Sequence, residues 1–303
     1  MLDVCLLGTG GMMPMPNRFL TSLFLRLNGR YMMIDCGEGT QISLKLLGWG
    51  FKNIDVICFT HYHADHISGL PGLLLTIGNS DRTEPLTLIG PPRLKDVVNG
   101  LRKIAPDLPY EIHFIELSGD NMQASVSGFN IKALPLNHRI PCLAYSVDIP
   151  RDGKFNLEKA QALNLPVHFW GQLQRGNTVH HEGKTYLPEM VMGEARKGIK
   201  IAYCTDTRPV SALPEFVNGA DLFICEGMYG EPDKKEKVMA YKHMLFSEAA
   251  QIARDGNVSE LWLTHFSPAL PNPHDFVHFA KDIFPNSICG KDRMTKTILF
   301  EED

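Results

Sequence analysis

Short apolar runs recur along the chain, and turn-forming residues such as Gly, Pro and Asn separate them. This pattern is typical of buried strands in a globular protein. Strands are predicted near residues 2–7, 20–26, 30–34, 55–59, 86–89, 112–116, 129–136, 143–148, 199–204, 221–225, 260–264 and 296–300. Apolar residues at helical spacing predict helices near residues 40–47, 70–78, 92–104, 156–163, 212–218, 246–254 and 274–283. Helices distributed along a strand-rich chain favour an α/β protein with two packed sheets and outer helices.

Short Pro- and Gly-containing stretches near residues 150–195 interrupt this pattern of strands and helices. Strand and helix patterns continue on both sides of it. We therefore predict one domain over residues 1–303 with an inserted arm-like segment at about 150–195. Phe169 and Trp170 within the segment leave an alternative, in which it packs onto the body and forms no arm.

The composition is that of a soluble enzyme, since 44% of the residues are hydrophobic and 21% are charged. No apolar run approaches the roughly 20 residues that a membrane span requires, so no membrane partner is expected. The N-terminal apolar run has no basic segment before it and is interrupted by Gly8 and Gly10, which predicts a first strand and not a signal peptide. The seven cysteines include no Cys-x-x-Cys pair, which is typical of reduced thiols in a cytoplasmic protein.

A loop directly after the apolar run 56–59 carries four potential metal ligands, His61, His63, Asp65 and His66. Alternation along an extended backbone places the first two on one side, and the other two follow as the chain turns. Two adjacent ligand sets therefore emerge from one loop. Neutral imidazoles and a carboxylate suit Zn²⁺, and oxygen donors also admit Mn²⁺ or Fe²⁺.

The pattern His-x-His-x-Asp-His in this loop resembles the signature of the metallo-β-lactamase superfamily. The resemblance implies an αββα sandwich and a dinuclear centre whose other ligands are a later His, a bridging Asp and a last His, each at a strand end. His138, Asp206 and His265 follow short apolar runs in this order. Singly, each would more often be a cap or a hydrogen-bonded core residue, but together they match the implied set.

Further motifs narrow the resemblance to the ribonuclease Z family, the endoribonucleases that trim precursor tRNA 3′ ends. They are Leu-Gly-Thr-Gly at 7–10, Arg18, Thr-Ser at 21–22, Asp-Cys-Gly-Glu-Gly-Thr-Gln at 35–41, Gly-Leu-Pro-Gly-Leu-Leu at 69–74 and Thr-Asp-Thr-Arg-Pro at 205–209. The resemblance extends along nearly the whole chain. It implies precursor tRNA as substrate, a homodimer and no organic cofactor. The 35–41 run also fits an ordinary strand-to-helix turn. A turn of this kind is compatible with the family motif, because it could orient the metal ligands.

The resemblance also implies a role for each candidate residue. One zinc ion would be bound by His61, His63 and His138, and a second by Asp65, His66 and His265, with Asp206 bridging the two. Asp65 would in addition orient or deprotonate the attacking water. Glu226 and His243 would form a pair in which His243 protonates the leaving ribose oxygen.

Some stretches depart from the family pattern. They are Cys-Glu-Gly-Met at 225–228 in place of His-Glu-Ala-Thr, His-Met-Leu at 243–245 in place of His-Ser-Thr, Pro-Ala-Leu-Pro at 268–271 in place of Arg-Tyr, and Pro-Val-His-Phe-Trp at 166–170 in place of a Gly- and Pro-rich arm centre. The metal ligands are intact. The handling of the substrate phosphate and of tRNA is therefore the open question.

The net charge of −4 does not by itself indicate a nucleic-acid-binding protein. RNA binding would need basic residues concentrated on one face. The candidates are Arg151, Lys154, Arg175 and Arg208, together with Lys159, Lys184, Arg196, Lys197 and Lys200. Ordinary solvated surface is the alternative interpretation of these residues.

The leading hypothesis is a zinc-dependent endoribonuclease that removes the 3′ trailer from precursor tRNA. A second hypothesis keeps the dinuclear hydrolase but makes the substrate a small phosphodiester, a cyclic nucleotide or a lactone, because the arm and the phosphate-side residues are altered. A third is a catalytically weak RNA-binding module. Cleavage of precursor tRNA separates the first from the second, and metal content with turnover separates both from the third.

Overall fold

The computed structural model describes residues 1–301 of the chain. The strands are β1 (Leu2–Gly8), β2 (Ser22–Leu27), β3 (Arg30–Ile34), β4 (Ile54–Cys58), β5 (Leu86–Gly90), β6 (Ile112–Glu116), β7 (Gln123–Val126), β8 (Phe129–Pro135), β9 (Leu143–Arg151), β10 (Val179–His181), β11 (Lys184–Tyr186), β12 (Arg196–Cys204), β13 (Leu222–Glu226), β14 (Leu261–Thr264), β15 (Ser287–Cys289) and β16 (Met294–Ile298). The helices are α1 (Thr40–Leu47), α2 (Ala64–Ile67), α3 (Leu70–Gly78), α4 (Leu94–Leu101), α5 (Leu157–Ala162), α6 (Trp170–Gln174), α7 (Leu213–Val217), α8 (Lys235–Tyr241), α9 (Phe246–Asp255) and α10 (His278–Lys281). Short 3₁₀ segments cover Arg102–Ile104, Val167–Phe169, Pro188–Val191, Pro232–Lys234 and Pro273–Phe276.

Two seven-stranded sheets, both mixed, form the body of the protein. The first has the order β16-β1-β2-β3-β4-β5-β6, with β3 to β6 parallel and the other neighbours antiparallel. The second has the order β15-β14-β13-β12-β9-β8-β7, with β12 to β15 parallel and β7 to β9 antiparallel. Parallel strands end at the same edge of a sheet, and ligand sites in α/β proteins commonly form there.

Helices cover the outer face of each sheet. Alternation along β1 sends Cys5 and Leu7 into a core shared with α1, α3 and α4, whereas Val4 is fully buried on the opposite face. A second core holds α7 and α9 against β13 and β14. Between the sheets, the Tyr145 hydroxyl on β9 donates to the Phe59 carbonyl after β4 at 2.7 Å. The predicted αββα sandwich is confirmed.

The chain divides into two compact units. The first unit comprises Met1–Asp148 and Lys200–Leu299, and the second unit comprises Ile149–Ile199 with the described residues after Leu299. The second unit has a small core of its own, formed by Ala160, Leu165, Leu173, Val179 and Val191 with Phe169 and Trp170 packed against them. The Trp170 indole also donates to the Leu165 carbonyl at 3.0 Å. Phe169 and Trp170 therefore have apolar partners within their own unit.

Every strand and helix predicted from the sequence is present; β3, α1, α3 and β6 have the predicted bounds, and the others have shifted ends. The predicted helix at 92–104 was too long, because Arg93 has φ 76° and α4 can begin only after this left-handed residue. The predicted helix at 274–283 was wrong in extent as well, since a 3₁₀ segment precedes α10 there. The sequence patterns missed β7, β10, β11, β15, α2, α6 and α8. These elements are too short for their periodicity to be recognised.

The cysteines are confirmed as free core residues, since all are buried and unpaired. Burial raises the pKa of thiols such as Cys5 to about 12, which keeps them protonated and unreactive. Among residues 1–301, no helix has both the length and the apolar character needed to cross a lipid bilayer.

Candidate metal centre

The candidate ligands lie where strands of the two sheets end. His61 follows β4, whereas Asp206 and His265 follow β12 and β14. His138 lies in the loop between β8 and β9, and Asp65 and His66 lie in the short helix α2, which begins at Ala64. The structure brings all seven predicted ligands together, although they come from four separate segments of the chain.

Several turns at these strand ends use left-handed backbone at residues other than glycine. Asp35, Asp206 and His265 have φ values of 60°, 46° and 57°. Such conformations cost about 1–3 kcal/mol each and persist only where the surrounding structure enforces them. Each of these three side chains contacts the ligand cluster, so the strained backbone is concentrated at the candidate site.

A first group of ligand atoms comes from His61, His63, His138 and Asp206, all within 4.8 Å of one another. His63 Nδ1 lies 3.0 Å from His61 Nε2 and 3.2 Å from His138 Nε2. Asp206 Oδ2 lies 3.7 Å from both of those Nε2 atoms. Three imidazole nitrogens and one carboxylate oxygen thus converge, which is a donor set suited to zinc.

A second group comes from Asp65, His66 and His265. The two Nε2 atoms lie 3.2 Å apart, and Asp65 Oδ2 lies 3.6 Å from that of His66 and 3.4 Å from that of His265. Asp206 Oδ1 lies 3.2 Å and 3.1 Å from the same two nitrogens. Asp206 therefore faces the first group with Oδ2 and the second with Oδ1.

Buried groups behind the ligands hold the imidazole rings in place. His66 Nδ1 donates to Asp35 Oδ2 at 2.8 Å, and Asp35 Oδ1 accepts the Thr60 backbone N–H at 2.8 Å. The Thr60 hydroxyl lies 3.1 Å from His61 Nδ1. A proton on His66 Nδ1 leaves its Nε2 free to bind a cation, which is the usual arrangement behind metal-binding histidines. Within the 35–41 motif, it is Asp35 that makes this contact.

The predicted Glu226–His243 pair is present. His243 Nδ1 donates to Glu226 Oε2 at 2.9 Å, and the other oxygen of this fully buried carboxylate accepts the Thr207 backbone N–H at 2.7 Å. His243 Nδ1 also lies 3.9 Å from Asp206 Oδ2. His243 thus stands beside the ligand groups with its ring held by a carboxylate.

Burial and the nearby carboxylates shift the pKa values of individual histidines in different directions. Burial lowers the pKa of His61, and the neighbouring imidazoles lower it further, so this ring is neutral as a metal ligand must be. Burial also opposes the protonation of His265, but Asp206, Asp65 and Glu226 raise its pKa to about 10. Without a metal, protons on nearby imidazole rings therefore balance the negative charge of these carboxylates. A bound cation would balance that charge in their place.

Buried polar atoms of the two groups fit a metal centre. Among residues 1–301, Asp206 Oδ1 and His265 Nδ1 are buried without a hydrogen-bond partner. Ring nitrogens of His66 and His265 do lie 3.2 Å and 3.1 Å from Asp206 Oδ1, so it is their direction and not their distance that prevents a bond. A buried carboxylate oxygen without a hydrogen bond, surrounded by imidazole nitrogens, is suited to a cation, and the residues present therefore fit divalent metal binding.

The loop after β1 closes against the second group. A Cβ on Gly11 would lie 2.7 Å from His265 Cε1, so only glycine allows this approach. The next residue, Met12, donates its backbone N–H to Asp65 Oδ2 at 2.7 Å. This contact fixes the orientation of the Asp65 carboxylate.

A cleft of about 520 Å³ opens onto the ligand groups and His243. Its wall includes Arg139, Tyr229, Lys237 and Tyr241, none of which is among the site residues predicted from the sequence. The basic run at 234–237 was the available signal. It could not be linked to the site, because α8, which carries part of it, was not predicted.

The predicted RNA contacts are divided between the two units. The second unit carries Arg151, Lys154 and Arg175. Arg208 belongs to the first unit, where its guanidinium bonds both carboxylate oxygens of Glu248 and the backbone carbonyl of His243. These contacts use three of the five N–H donors of the guanidinium and pair its charge with Glu248, so they favour a structural role for Arg208 beside His243 over the predicted contact with RNA.

Relatives match the chain along its whole length. A Lachnospira eligens protein named Ribonuclease Z is 57% identical over 303 residues, covering 100% of both chains. A Clostridium kluyveri protein of the same name is 56% identical over the same span. A family model described as "Anti-Pycsar protein Apyc1" matches residues 2–149, which include His61 and His138 but neither Asp206 nor His265.

Solved structures of lower identity share the fold. Human tRNase Z, short form, has a TM-score of 0.70 at 24% identity and covers 98% of this chain and 100% of that chain. The metallo-β-lactamase fold protein YhfI from Bacillus subtilis has a TM-score of 0.68 at 18% identity, covering 97% of this chain and 98% of that chain. At these identities the likeness concerns the fold alone, which is the metallo-β-lactamase fold.

Proposed function

We infer the function of this chain from its family, because its identity to relatives along the whole chain shows that it belongs to the ribonuclease Z family. It is accordingly a metal-dependent endoribonuclease that processes tRNA 3′ ends. The observation that carries this conclusion is the 57% identity over 303 residues to a protein named Ribonuclease Z. The convergence of the predicted ligand atoms supports the same activity.

The two groups of ligand atoms support a centre for two divalent ions, with zinc as the preferred metal. One ion would be held by His61, His63 and His138, the other by Asp65, His66 and His265, with one Asp206 oxygen offered to each. Mn²⁺ and Fe²⁺ also suit a ligand set that mixes imidazole and carboxylate. When bound, such ions lower the pKa of a water molecule and stabilise the charge that develops on the scissile phosphate.

Asp65 is proposed to orient the attacking water and to accept its proton. Its side chain is 12% exposed, compared with 4% for Asp206, so it is the more accessible carboxylate of the site. The Met12 amide holds Asp65 Oδ2 in one orientation. A general base must be aligned with the proton that it accepts, and this hydrogen bond supplies the alignment.

His243 is proposed to protonate the leaving 3′ oxygen of the ribose. Glu226 occupies Nδ1 of the ring, which leaves Nε2 as the atom available to substrate in the cleft. The negative charge of Glu226 also favours the protonated imidazole. The products would be a tRNA with a 3′ hydroxyl and a trailer with a 5′ phosphate.

The proposed substrate is precursor tRNA, and the second unit is proposed to bind it away from the cut. The core of this unit can keep its surface ordered. It carries Arg151, Lys154 and Arg175, whose positive charges suit contacts with RNA phosphates. Such contacts would contribute to affinity without taking part in the chemistry.

We further propose that the chain forms a homodimer and works in the cytoplasm. On α1, Ile42 and Leu46 are 57% and 64% exposed, and Leu75 on the neighbouring helix α3 is 41% exposed. Exposed apolar side chains close together commonly mark an interface between proteins. The free cysteines are consistent with a reducing compartment.

Incubation of the metal-loaded protein with a precursor tRNA that carries a 3′ trailer tests this function. We expect a shortened tRNA and a released trailer, and we expect both to disappear when the metal is chelated. Intact precursor together with rapid hydrolysis of a cyclic nucleotide would instead favour the small-phosphodiester hydrolase. Binding of the precursor without turnover at any substrate would favour the RNA-binding module.

A further inference from the structure

The cleft wall carries two pairs of a cation and an aromatic ring that the proposed chemistry does not use. The Arg139 guanidinium carbon lies 4.8 Å from the centre of the Tyr241 ring, and Lys237 Nζ lies 4.9 Å from that of Tyr229. All four residues line the cleft beside the ligand groups. Within the described chain, neither Arg139 nor Lys237 forms an ion pair with a carboxylate. Their positive charges therefore remain available to an anionic substrate.

The end of α8 is tied to the loop that carries His138. Arg139 Nη2 donates to the Ala240 carbonyl at 3.1 Å, and Lys242 Nζ donates to the His138 carbonyl at 3.0 Å. Because His138 is a proposed metal ligand, these bonds hold Tyr241 at a fixed place beside the reacting centre. A contact that is already ordered before binding avoids much of the entropy cost of forming it.

The two rings differ in how far they are open to the cleft. Tyr229 is 6% exposed, so it supports Lys237 and offers little surface to a ligand. Tyr241 is 49% exposed even though Arg139 lies over its ring. Proteins hold unpaired RNA bases by stacking them on exposed aromatic rings next to basic side chains.

A scissile phosphate at the ligand groups would bring the adjoining nucleotides against this wall. We propose that Tyr241 is a stacking platform for a base next to the scissile phosphate in the single-stranded 3′ end of the precursor, with Arg139 bracing the ring and Lys237 contacting a neighbouring phosphate. This inference rests on the proposed function and specifies how the same site holds its substrate. Stacking tolerates any base, so the platform would accept trailers of different sequence.

Substitutions of Tyr241 test the platform on the metal-loaded protein. Y241A should lower kcat/KM for precursor tRNA roughly 5- to 150-fold, the range for loss of one base–aromatic stack. Y241F and Y241W should retain most of the activity, because they keep an aromatic face. M239A is the matched control, since Met239 is 57% exposed on the same helix and does not line the cleft. Metal content should be equal in all variants.

Two abasic precursors, one lacking the base before the cut and one lacking the base after it, then test whether the loss in Y241A comes from stacking or from a general disturbance of the site. On one of these abasic substrates the difference between the parent and Y241A should shrink to about twofold or less, because the platform has no base to hold. An equal loss on intact and abasic precursors would overturn stacking, as would a Y241A variant that cleaves like the parent. If the parent cleaves no precursor at all, the proposed function and this inference are both wrong. If the parent is active and Y241A is equally active, only this inference is wrong.

Discussion

Asp206 contacts both groups of ligand atoms through different oxygens. Oδ2 faces the nitrogens of His61 and His138, and Oδ1 faces those of His66 and His265. The left-handed backbone of Asp206, with φ 46°, turns this carboxylate into the cluster directly after β12. At the scale of single residues, the site thus depends on one side chain more than on any individual histidine.

Replacement of Asp206 by alanine should reduce the metal content from two ions per chain to fewer than one, because both positions lose a ligand. Elemental analysis of the folded protein measures this. D55A is a matched control, since Asp55 is also a buried carboxylate but pairs with Arg30 and Arg82. It should keep both ions. A parent with one ion, or an unchanged content in D206A, would contradict the bridging role.

His243 should be needed for poor leaving groups only. H243A should keep its metals and lose roughly 10²- to 10⁴-fold in kcat on precursor tRNA, the usual contribution of a positioned proton donor. On a p-nitrophenyl phosphodiester the loss should be small, because p-nitrophenolate leaves without a proton. Turnover of both substrates by the parent and the variant provides the measurement. Equal losses would indicate that His243 has a structural role.

Arg208 joins three elements at the site. It follows β12, and its guanidinium holds the carbonyl of His243 and the carboxylate of Glu248 in the first turn of α9. Glu248 also accepts the Leu245 backbone N–H at 2.9 Å, which caps the helix. The position of the proposed proton donor is therefore linked to the start of α9 through an arginine that Glu248 holds in place.

We expect R208A to lower kcat about 10- to 100-fold, as is typical for residues that orient a reactive side chain. KM and the dependence on salt should change little, because no phosphate contact is lost. Steady-state kinetics at several salt concentrations test this. The double variant R208A/E248Q should be little worse than R208A, since both substitutions remove the same ion pair and Gln keeps an oxygen that can accept the Leu245 N–H. A raised KM with a weaker salt dependence would restore the sequence-based prediction of an RNA contact.

The whole molecule comprises two units with separate cores, and the second is the proposed binding unit for precursor tRNA. The ends of that unit meet, because Gly193 N donates to the Lys154 carbonyl at 2.7 Å and a Cβ on Gly153 would lie 2.2 Å from the Gly193 carbonyl oxygen. Most of the second unit can therefore be replaced by a short linker between residues 153 and 193.

Replacement of residues 154–192 by a short Gly/Ser linker should strongly impair cleavage of precursor tRNA, because remote phosphate contacts are lost. Hydrolysis of a small chromogenic phosphodiester and the metal content should be nearly unchanged. The variant R175Q/K184Q removes two positive charges and keeps the unit in place. It should weaken tRNA binding and reduce the salt dependence of that binding. An equal loss on both substrates would indicate that the unit stabilises the fold, and equal retention would indicate that it does not bind RNA.

The exposed apolar residues of α1 should support the homodimer. I42E/L46E should sediment as a monomer, because charge would then be buried in the contact. I104E is the matched control, since Ile104 is 78% exposed but belongs to a different helical segment. It should remain dimeric. A monomeric parent in analytical ultracentrifugation would show that the homodimer prediction is wrong.

The sequence by itself determined the type of fold and the chemistry of the ligands. The apolar runs located the ends of β4, β12 and β14, and the ligands follow these ends in local motifs that do not depend on distant residues. The prediction of the Glu226–His243 pair relied on family resemblance, and the structure places the two in contact.

Only the tertiary structure decided which atoms meet between segments that lie far apart in the chain. Met12 reaches Asp65 across 53 residues, and Arg208 reaches Glu248 across 40 residues. The placement of Tyr241 in the cleft likewise follows from how a short, unpredicted helix is tied to the loop between β8 and β9. Local periodicity carries no information about such contacts, because they depend on how two sheets align their strand ends.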